Sequence, residues 1–245
     1  MIYMDIEKLK NFIASSNNIV FFGGAGVSTA SNIPDFRSAN GLYNEKSNIH
    51  FSPEEILSHT FFMKHTEEFY DFYKGKMIYK DAKPNNAHNA LAKLEKSGKL
   101  RAVITQNIDG LHQMAGSKNV LELHGSIHRN RCMKCNEFFD LDYITRSEAI
   151  PKCNSCGGIV KPEVVLYEES LDQSVFYSSI EMISNADVFI VGGTSLSVYP
   201  AAGLISYYKG NKLILINKTQ TPYDNKAELC IYGDIAQILK AAVLD

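Results

Sequence analysis

Ile19-Val-Phe-Phe-Gly-Gly-Ala-Gly-Val-Ser28 is the stretch on which the fold turns. Its apolar half, β-branched and aromatic, reads as a buried strand, and the glycines after it read as a tight turn into a helix start. Free backbone N–H groups and the helix dipole at such a junction can receive a pyrophosphate. Gly24 and Gly26 satisfy the first two positions of G-x-G-x-x-G, but Thr29 stands at the third. No strand ending in a ribose-binding acid follows about 20 residues on, where hydride-transferring dehydrogenases carry one. The loop Ser31-Asn-Ile-Pro-Asp-Phe-Arg-Ser38 follows instead. A dinucleotide fits this turn, an ordinary dehydrogenase is disfavoured, and a turn needed only for packing is an equal reading of the segment taken alone.

Working outward, similar apolar runs recur at 102–105, 120–123, 188–191 and 213–216, separated by helical patterning. Strands that are apolar throughout, with helices between them, predict an α/β fold with a parallel sheet covered by helices. One helix is predicted over 87–96, with Pro84 before it, Ala90, Leu91 and Leu94 on one face and Gly98 as its stop. Ile235, Ile238, Leu239, Ala242 and Val243 give the C-terminal segment helical spacing, and Ile6, Leu9, Phe12 and Ile13 do the same near the N-terminus. Two stretches break the alternation. Residues 40–80 carry Phe61, Phe62, Phe69, Tyr70, Phe72 and Tyr73 without a strand pattern, and residues 131–160 are short and polar. Both read as insertions that form a smaller domain, the aromatic cluster being local core in preference to a ligand channel.

At 245 residues the chain is long enough to bury a sizeable core, and 45% hydrophobic with 21% charged residues is an ordinary globular composition. A formal charge of −2 gives no sign of a nucleic-acid surface. No apolar run approaches the ~20 residues of a membrane span, and the N-terminus has no signal-peptide pattern, so a cytoplasmic protein is expected. Cys132-x2-Cys135 and Cys153-x2-Cys156 lie 17 residues apart. Two such pairs converge on one tetrahedral zinc ion, and four thiolates leave no open position for a substrate, so the metal is structural. The fifth cysteine, Cys230, reads as a small buried hydrophobe in a strand.

Each strand runs into a polar or glycine-rich cluster: Gln106-Asn-Ile-Asp109, His124-Gly125, Gly192-Gly-Thr-Ser195 and Asn217. Ligands collect at the carboxyl ends of strands in open α/β sheets, so these clusters should line one crevice. His124 is the group there that exchanges a proton near neutral pH and is the natural general base. Ser28 and Ser195 lack the glycine flanks of a nucleophile elbow, which disfavours a serine hydrolase.

Taken together, Gly24-Ala-Gly-Val-Ser28, Ile33-Pro-Asp-Phe-Arg-Ser38, Thr105-Gln-Asn-Ile-Asp109 with Leu111, His112, Ala115 and Gly116, Leu123-His-Gly125, the cysteine pairs, Gly193-Thr-Ser-Leu196 with Pro200, and Ile216-Asn217 resemble the sirtuin family in its usual order. The resemblance runs from about Ile19 to Ile235. It implies a Rossmann-like domain over 1–39, 81–130 and 161–245, with 40–80 and 131–160 forming the small domain. It also implies an NAD-dependent protein-lysine deacylase that converts acyl-lysine, NAD and water into free lysine, nicotinamide and O-acyl-ADP-ribose. The pyrophosphate would lie over Ala25, Gly26 and Ser28 and under Arg37, while Thr194, Ser195 and Asn217 would hold the adenosine half, and Thr29, Gly193 and Ile235 would also contact the cofactor. Gln106, Asn107 and Asp109 would position the nicotinamide ribose, and Ile33, Phe36, Ile108 and Asp109 would form the nicotinamide pocket. His124 would take a ribose proton, with Asn107 and Asp109 beside it in the catalytic set.

Lys161-Pro-Glu-Val-Val-Leu-Tyr-Glu-Glu169 resembles the family strand that pairs by backbone with an extended acyl-lysine peptide, which places Val165, Tyr167 and Glu168 against substrate. The family usually has Phe-Gly-Glu where Tyr167-Glu168-Glu169 stands, and Asn32 replaces a common glycine. Members that remove acidic acyl groups carry Tyr-x-x-Arg where this chain has Tyr73-Lys-Gly-Lys76, and a small residue at the position of Leu57. A lysine lacks the two-pronged grip of arginine on a carboxylate, so acetyl and other uncharged acyl groups are expected over succinyl. The rival readings are protein mono-ADP-ribosyl transfer and a non-catalytic NAD-sensing module. Acyl-lysine proteins or peptides are the expected partners, with neither nucleic acid nor membrane, and the chain is expected to be a monomer.

Overall fold

The computed structural model describes residues 2–36, 41 and 51–245. In chain order its strands are β1 (Ile19–Gly23), β2 (Leu100–Thr105), β3 (Val120–Glu122), β4 (Gly125–Cys132), β5 (Phe138–Phe139), β6 (Val160–Val164), β7 (Val188–Gly192), β8 (Leu213–Asn217) and β9 (Leu229–Tyr232). The helices are α1 (Ile2–Ala14), α2 (Pro53–Ile56), α3 (His59–Lys64), α4 (Thr66–Lys76), α5 (Asn86–Lys96), α6 (Leu111–Ala115), α7 (Leu141–Arg146), α8 (Gln173–Ser184) and α9 (Ile235–Leu239).

Six strands form one parallel sheet in the order β3-β2-β1-β7-β8-β9. The five predicted runs are all present, with ends shifted by one or two residues, and β9, which carries Cys230, adds the sixth. Every residue of β1, β7 and β8 is buried, as a sheet covered on both faces demands. The side-chain period of two divides β1 cleanly. Ile19 and Phe21 join Leu9, Leu91, Ile190 and Ile235 on one face, while Val20 and Phe22 join Ile104, Ile183, Phe189 and Leu204 on the other.

Helix α5 begins one residue before its predicted start because Asn85 caps it. Its side chain accepts from Ala87 N–H, and His88 Nδ1 accepts from Asn85 N–H in return. Gly98, at φ +76, marks the chain's exit. The C-terminal helix holds α geometry only to Leu239 and then widens into one π turn, Lys240–Leu244.

A second sheet, antiparallel and in the order β5-β4-β6, was not legible in the sequence. Its longest strand, Gly-Ser-Ile-His-Arg-Asn-Arg-Cys, buries residues on no regular alternation because the register slips between Gly125 and Asn130. This sheet shares a core with the aromatic helices. Phe62, Phe69, Tyr70 and Tyr73 pack with Ile144, Val160, Cys132 and Cys153, so the aromatic cluster is buried core. Among the described residues no helix is long and apolar enough to cross a membrane.

Candidate active site

The chain runs outward from β1 to β2 and β3 on one side, then returns to build β7, β8 and β9 on the other. That reversal leaves a crevice at the carboxyl ends of β1 and β7, the place where open α/β sheets bind ligands. The loops after these two strands touch there. Gly26 N–H donates to Gly193 O at 2.8 Å, and a Cβ on Gly26 would lie 2.8 Å from Gly193 Cα. The backbones approach this closely only because both residues lack side chains. The turn does not open into a regular helix, as its sequence suggests, but into two short 3₁₀ turns, Ala25–Val27 and Thr29–Ser31. Asn32 ends the second at φ +63, a left-handed conformation that asparagine tolerates. Dipole support for an anion is thus confined to a single turn at a time.

Ser28 is the hub of the neighbouring cluster. Its hydroxyl donates to Asp109 Oδ2 at 2.6 Å and accepts from Asn107 Nδ2 at 3.1 Å. Leu111 N–H donates to the other Asp109 oxygen at 2.9 Å. Burial raises the Asp109 carboxyl above the ordinary aspartate range, against the Ser28 and Leu111 hydrogen bonds that favour the ionised form. His124 lies beyond β3, with Nδ1 2.9 Å from Gln106 O. A carbonyl only accepts, so Nδ1 carries the proton and Nε2 keeps its lone pair. Burial holds the imidazole below the ordinary histidine value, while the Gln106 carbonyl pulls the other way. The result is a neutral ring with a fixed tautomer, the state a general base requires.

On the other side of the crevice Gln106 Nε2 donates to Thr194 Oγ1 at 3.0 Å, and Thr194 N–H donates to Asn217 Oδ1 at 2.9 Å. Asn217 Nδ2 is buried and makes no hydrogen bond among the described residues. A buried donor left over in a polar crevice fits a ligand acceptor, here one on a dinucleotide. A cavity of about 580 Å³ joins these groups. Ala25, Gly26, Ser28, Thr29, Ile33, Phe36, Gln106, Asn107, Ile108, Asp109, His124, Gly193, Thr194, Ser195, Asn217 and Ile235 all line it, as do Val165, Tyr167 and Glu168. Arg37 lies outside the described residues. Sequence reasoning missed Lys218, Thr219, Tyr199 and Gly233, which also line the cavity. Lys218 and Gly233 follow β8 and β9 directly, so extending the strand-end rule by one residue and one strand finds them.

The segment after β6 is held from both sides. Val165 N–H donates to His124 O at 3.0 Å, and Tyr167 N–H donates to Leu57 O at 2.9 Å. Glu168 stands at φ +74 and its carboxylate accepts from Thr60 N–H at 2.8 Å. Hydrogen bonding to Thr60, with His59 and Lys64 nearby, holds that carboxyl below the usual glutamate range. The side chain is therefore turned toward the start of α3.

Away from the crevice, the sulfurs of Cys132, Cys135, Cys153 and Cys156 all lie within 4.8 Å of one another. Zinc–sulfur bonds of about 2.3 Å in a tetrahedron require sulfurs about 3.8 Å apart. Cys132 and Cys156 are separated by 3.4 Å and Cys135 and Cys153 by 3.5 Å, with no disulfide among them. Lys134 N–H and Cys135 N–H both point at Cys132 Sγ, which favours a thiolate there. The four residues fit one structural zinc ion.

Comparison with known proteins agrees with this geometry. The model of the Sir2 family matches residues 24–200. The NAD-dependent protein deacetylase of Clostridium acetobutylicum is 64% identical over 245 residues, 99% of this chain and 100% of that protein. The NAD-dependent protein deacetylase of Clostridium tetani is 66% identical over 242 residues, 98% of each chain. Among solved structures, Sir2 with a p53 peptide and NAD+ is similar at a TM-score of 0.83 and 38% identity, covering 96% of this chain and 95% of that one. Sir2 bound to acetylated peptide is similar at a TM-score of 0.84 and 37% identity over the same shares. With likeness running the whole length and the matched residues spanning the crevice from its first glycine loop to Pro200, this chain belongs to the Sir2 family.

Proposed function

We infer that the protein is an NAD-dependent protein-lysine deacetylase, releasing free lysine, nicotinamide and O-acyl-ADP-ribose. The observation that carries this reading is the His124 ring, tied through Nδ1 to Gln106 O and lining the same cavity as Asn107, Asp109 and the 164–169 segment. Bound NAD would supply a ribose carbon for the acyl-lysine carbonyl oxygen to attack as nicotinamide leaves, and water would complete the release of free lysine. Gln106, Asn107 and Asp109 orient the ribose, and Ile33, Phe36 and Ile108 keep water from the nicotinamide end. His124 Nε2 receives the proton of a ribose hydroxyl, which frees that oxygen to capture the acyl carbon. Val165, Tyr167 and Glu168 hold the acyl-lysine peptide, Ala25, Gly26, Ser28, Thr29 and Arg37 the pyrophosphate, and Gly193, Thr194, Ser195, Asn217 and Ile235 the adenosine.

Residues 1–39, 81–130 and 161–245 act as the nucleotide-binding unit, while 40–80 and 131–160 form the small unit around zinc. The protein works in the cytoplasm, where paired cysteines persist as metal ligands. Leu57 lines the cavity where a small residue would be needed, and Tyr73 is fully buried, which supports uncharged acyl groups over succinyl. Mass spectrometry of NAD with acetyl-, longer acyl- and succinyl-lysine peptides tests chemistry and specificity together. Nicotinamide release and acetyl removal are expected. Label from NAD retained on protein would point to ADP-ribosyl transfer, and faster desuccinylation would reverse the acyl preference.

A further inference from the structure

The turn that carries His124 joins two sheets. Glu122 ends β3 in the parallel sheet, Gly125 opens β4 in the antiparallel one, and His124 lies between them. Two backbone hydrogen bonds brace this corner beside the pairing of Gly125 with Val164. Leu123 N–H donates to Thr105 O at 2.9 Å, and Val165 N–H donates to His124 O at 3.0 Å. At Gly125 the chains are in contact, since a Cβ there would stand 1.8 Å from Glu163 O.

Arg129, on β4, bridges the two sides of this corner. Its Nη1 reaches Glu122 Oε2 at 2.7 Å and its Nε reaches Glu163 Oε2 at 3.1 Å. Glu122 and Glu163 each sit two residues before the partners of the backbone tie, His124 and Val165. The guanidinium thus makes a second link parallel to that hydrogen bond. The frame is reinforced by Gln113 Nε2 on the remaining Glu122 oxygen at 2.8 Å and by Arg131 Nε on Glu163 Oε1 at 2.5 Å. The Glu122 side chain is only 9% exposed, so its charge is poorly hydrated and depends on these partners. Arg129 does not line the cavity.

We propose that Arg129 is a positioning residue for the deacylation step, fixing the separation between the His124 imidazole and the 165–168 segment that presents the acyl-lysine. This rests on the deacetylase reading above. One end of the clasp belongs to the strand that delivers the base, the other to the strand that leads to the peptide groove. Loosening it lets the base and the ribose hydroxyl drift apart and lets water reach the ring, without touching the NAD contacts.

The test compares wild type, Arg129→Lys, Arg129→Met and the double variant Arg129→Met/Glu122→Gln. The double variant removes the stranded carboxylate as well as the clasp, so it recovers melting temperature relative to Arg129→Met. Its kcat on an acetyl-lysine peptide is expected to stay low by up to about a hundredfold, the scale of a 1 Å misplacement of a reacting group. The acid limb of its pH–rate profile is expected to move up toward the ordinary histidine value, and NAD affinity to stay at the wild-type level. Arg129→Lys, which keeps the charge but not the fork, is expected to fall between Arg129→Met and wild type. A double variant with wild-type kcat and an unmoved acid limb overturns the proposal, as does loss of activity that simply follows melting temperature or NAD affinity. If wild type turns over and the variants match it, the clasp alone is wrong. If wild type releases no nicotinamide with any acyl-lysine peptide, the deacetylase reading fails and the clasp proposal falls with it.

Discussion

At the scale of single residues, His124 and Glu168 show how surroundings decide what a side chain does. Burial depresses the His124 pKa, so its neutral, basic form persists to lower pH than in a free histidine. The acid limb of kcat/KM is therefore expected below the ordinary histidine value, and a limb above that value would contradict a buried base. Replacement of His124 by alanine is expected to lower deacylation by at least about a hundredfold, the usual scale of general-base catalysis, while NAD still binds. Glu168 occupies a left-handed backbone position that favours glycine, and its carboxylate compensates by holding Thr60 N–H. Alanine would keep the strain and lose the hydrogen bond, whereas glycine would lose the hydrogen bond and the strain together. Thermal melts should rank Glu168→Ala below Glu168→Gly, and the reverse order would show that the left-handed backbone at 168 carries no strain.

Among the elements, α5 reaches furthest beyond its own packing. Asn85 caps it and also donates from Nδ2 to Val27 O at 2.8 Å and to Ser31 Oγ at 2.9 Å, tying the helix start to the glycine loop. Asn85→Ala should cost about 1–2 kcal/mol in denaturant unfolding, the price of a lost N-cap, and should raise KM for NAD as the loop loosens. A stability loss with unchanged KM would show that the loop holds its shape alone. The same helix meets α6 through His88 and His112, whose rings lie 4.7 Å apart and fully buried. Burial pushes His88 down to about 4 and His112 to about 3. Both are neutral in the folded chain and take up protons more readily when unfolded. Their contribution to stability is complete above the ordinary histidine value of about 6.5 and declines as pH falls toward about 4. Urea midpoints should drop between pH 7 and pH 5, and less so in a variant with His112 replaced by an apolar residue that keeps the fold.

For the whole molecule, the strand order places both glycine loops at one reversal point, and the aromatic helices share a core with the cysteine module. Zinc bound there would be linked to the 164–166 segment through Cys132 and Cys153, which belong to the core that contains Leu57, Val164 and Leu166. Metal removal by a chelator is expected to lower melting temperature, expose 131–160 to protease and raise KM for peptide. Retention of all three at wild-type values would limit zinc to a local clip.

The sequence by itself determined the parallel sheet, the cysteine quartet, the aromatic core and the polar strand-end residues of the crevice, because each rests on a local signal, while Ile33, Phe36, Val165, Tyr167, Glu168 and Ile235 came with the family resemblance. All-apolar runs mark doubly covered strands, CxxC spacing marks a metal knuckle, and polar clusters after strands mark their carboxyl ends. The Ser28–Asp109 bond, the Asn85 anchor and the Arg129 clasp were decided by tertiary structure alone. Each joins residues far apart in the chain or across a sheet boundary, and the irregular register of β4 hides from alternation the strand on which that clasp is built. Hydrogen bonds and ion pairs of that kind depend on where strands meet, which no periodicity along a single segment records.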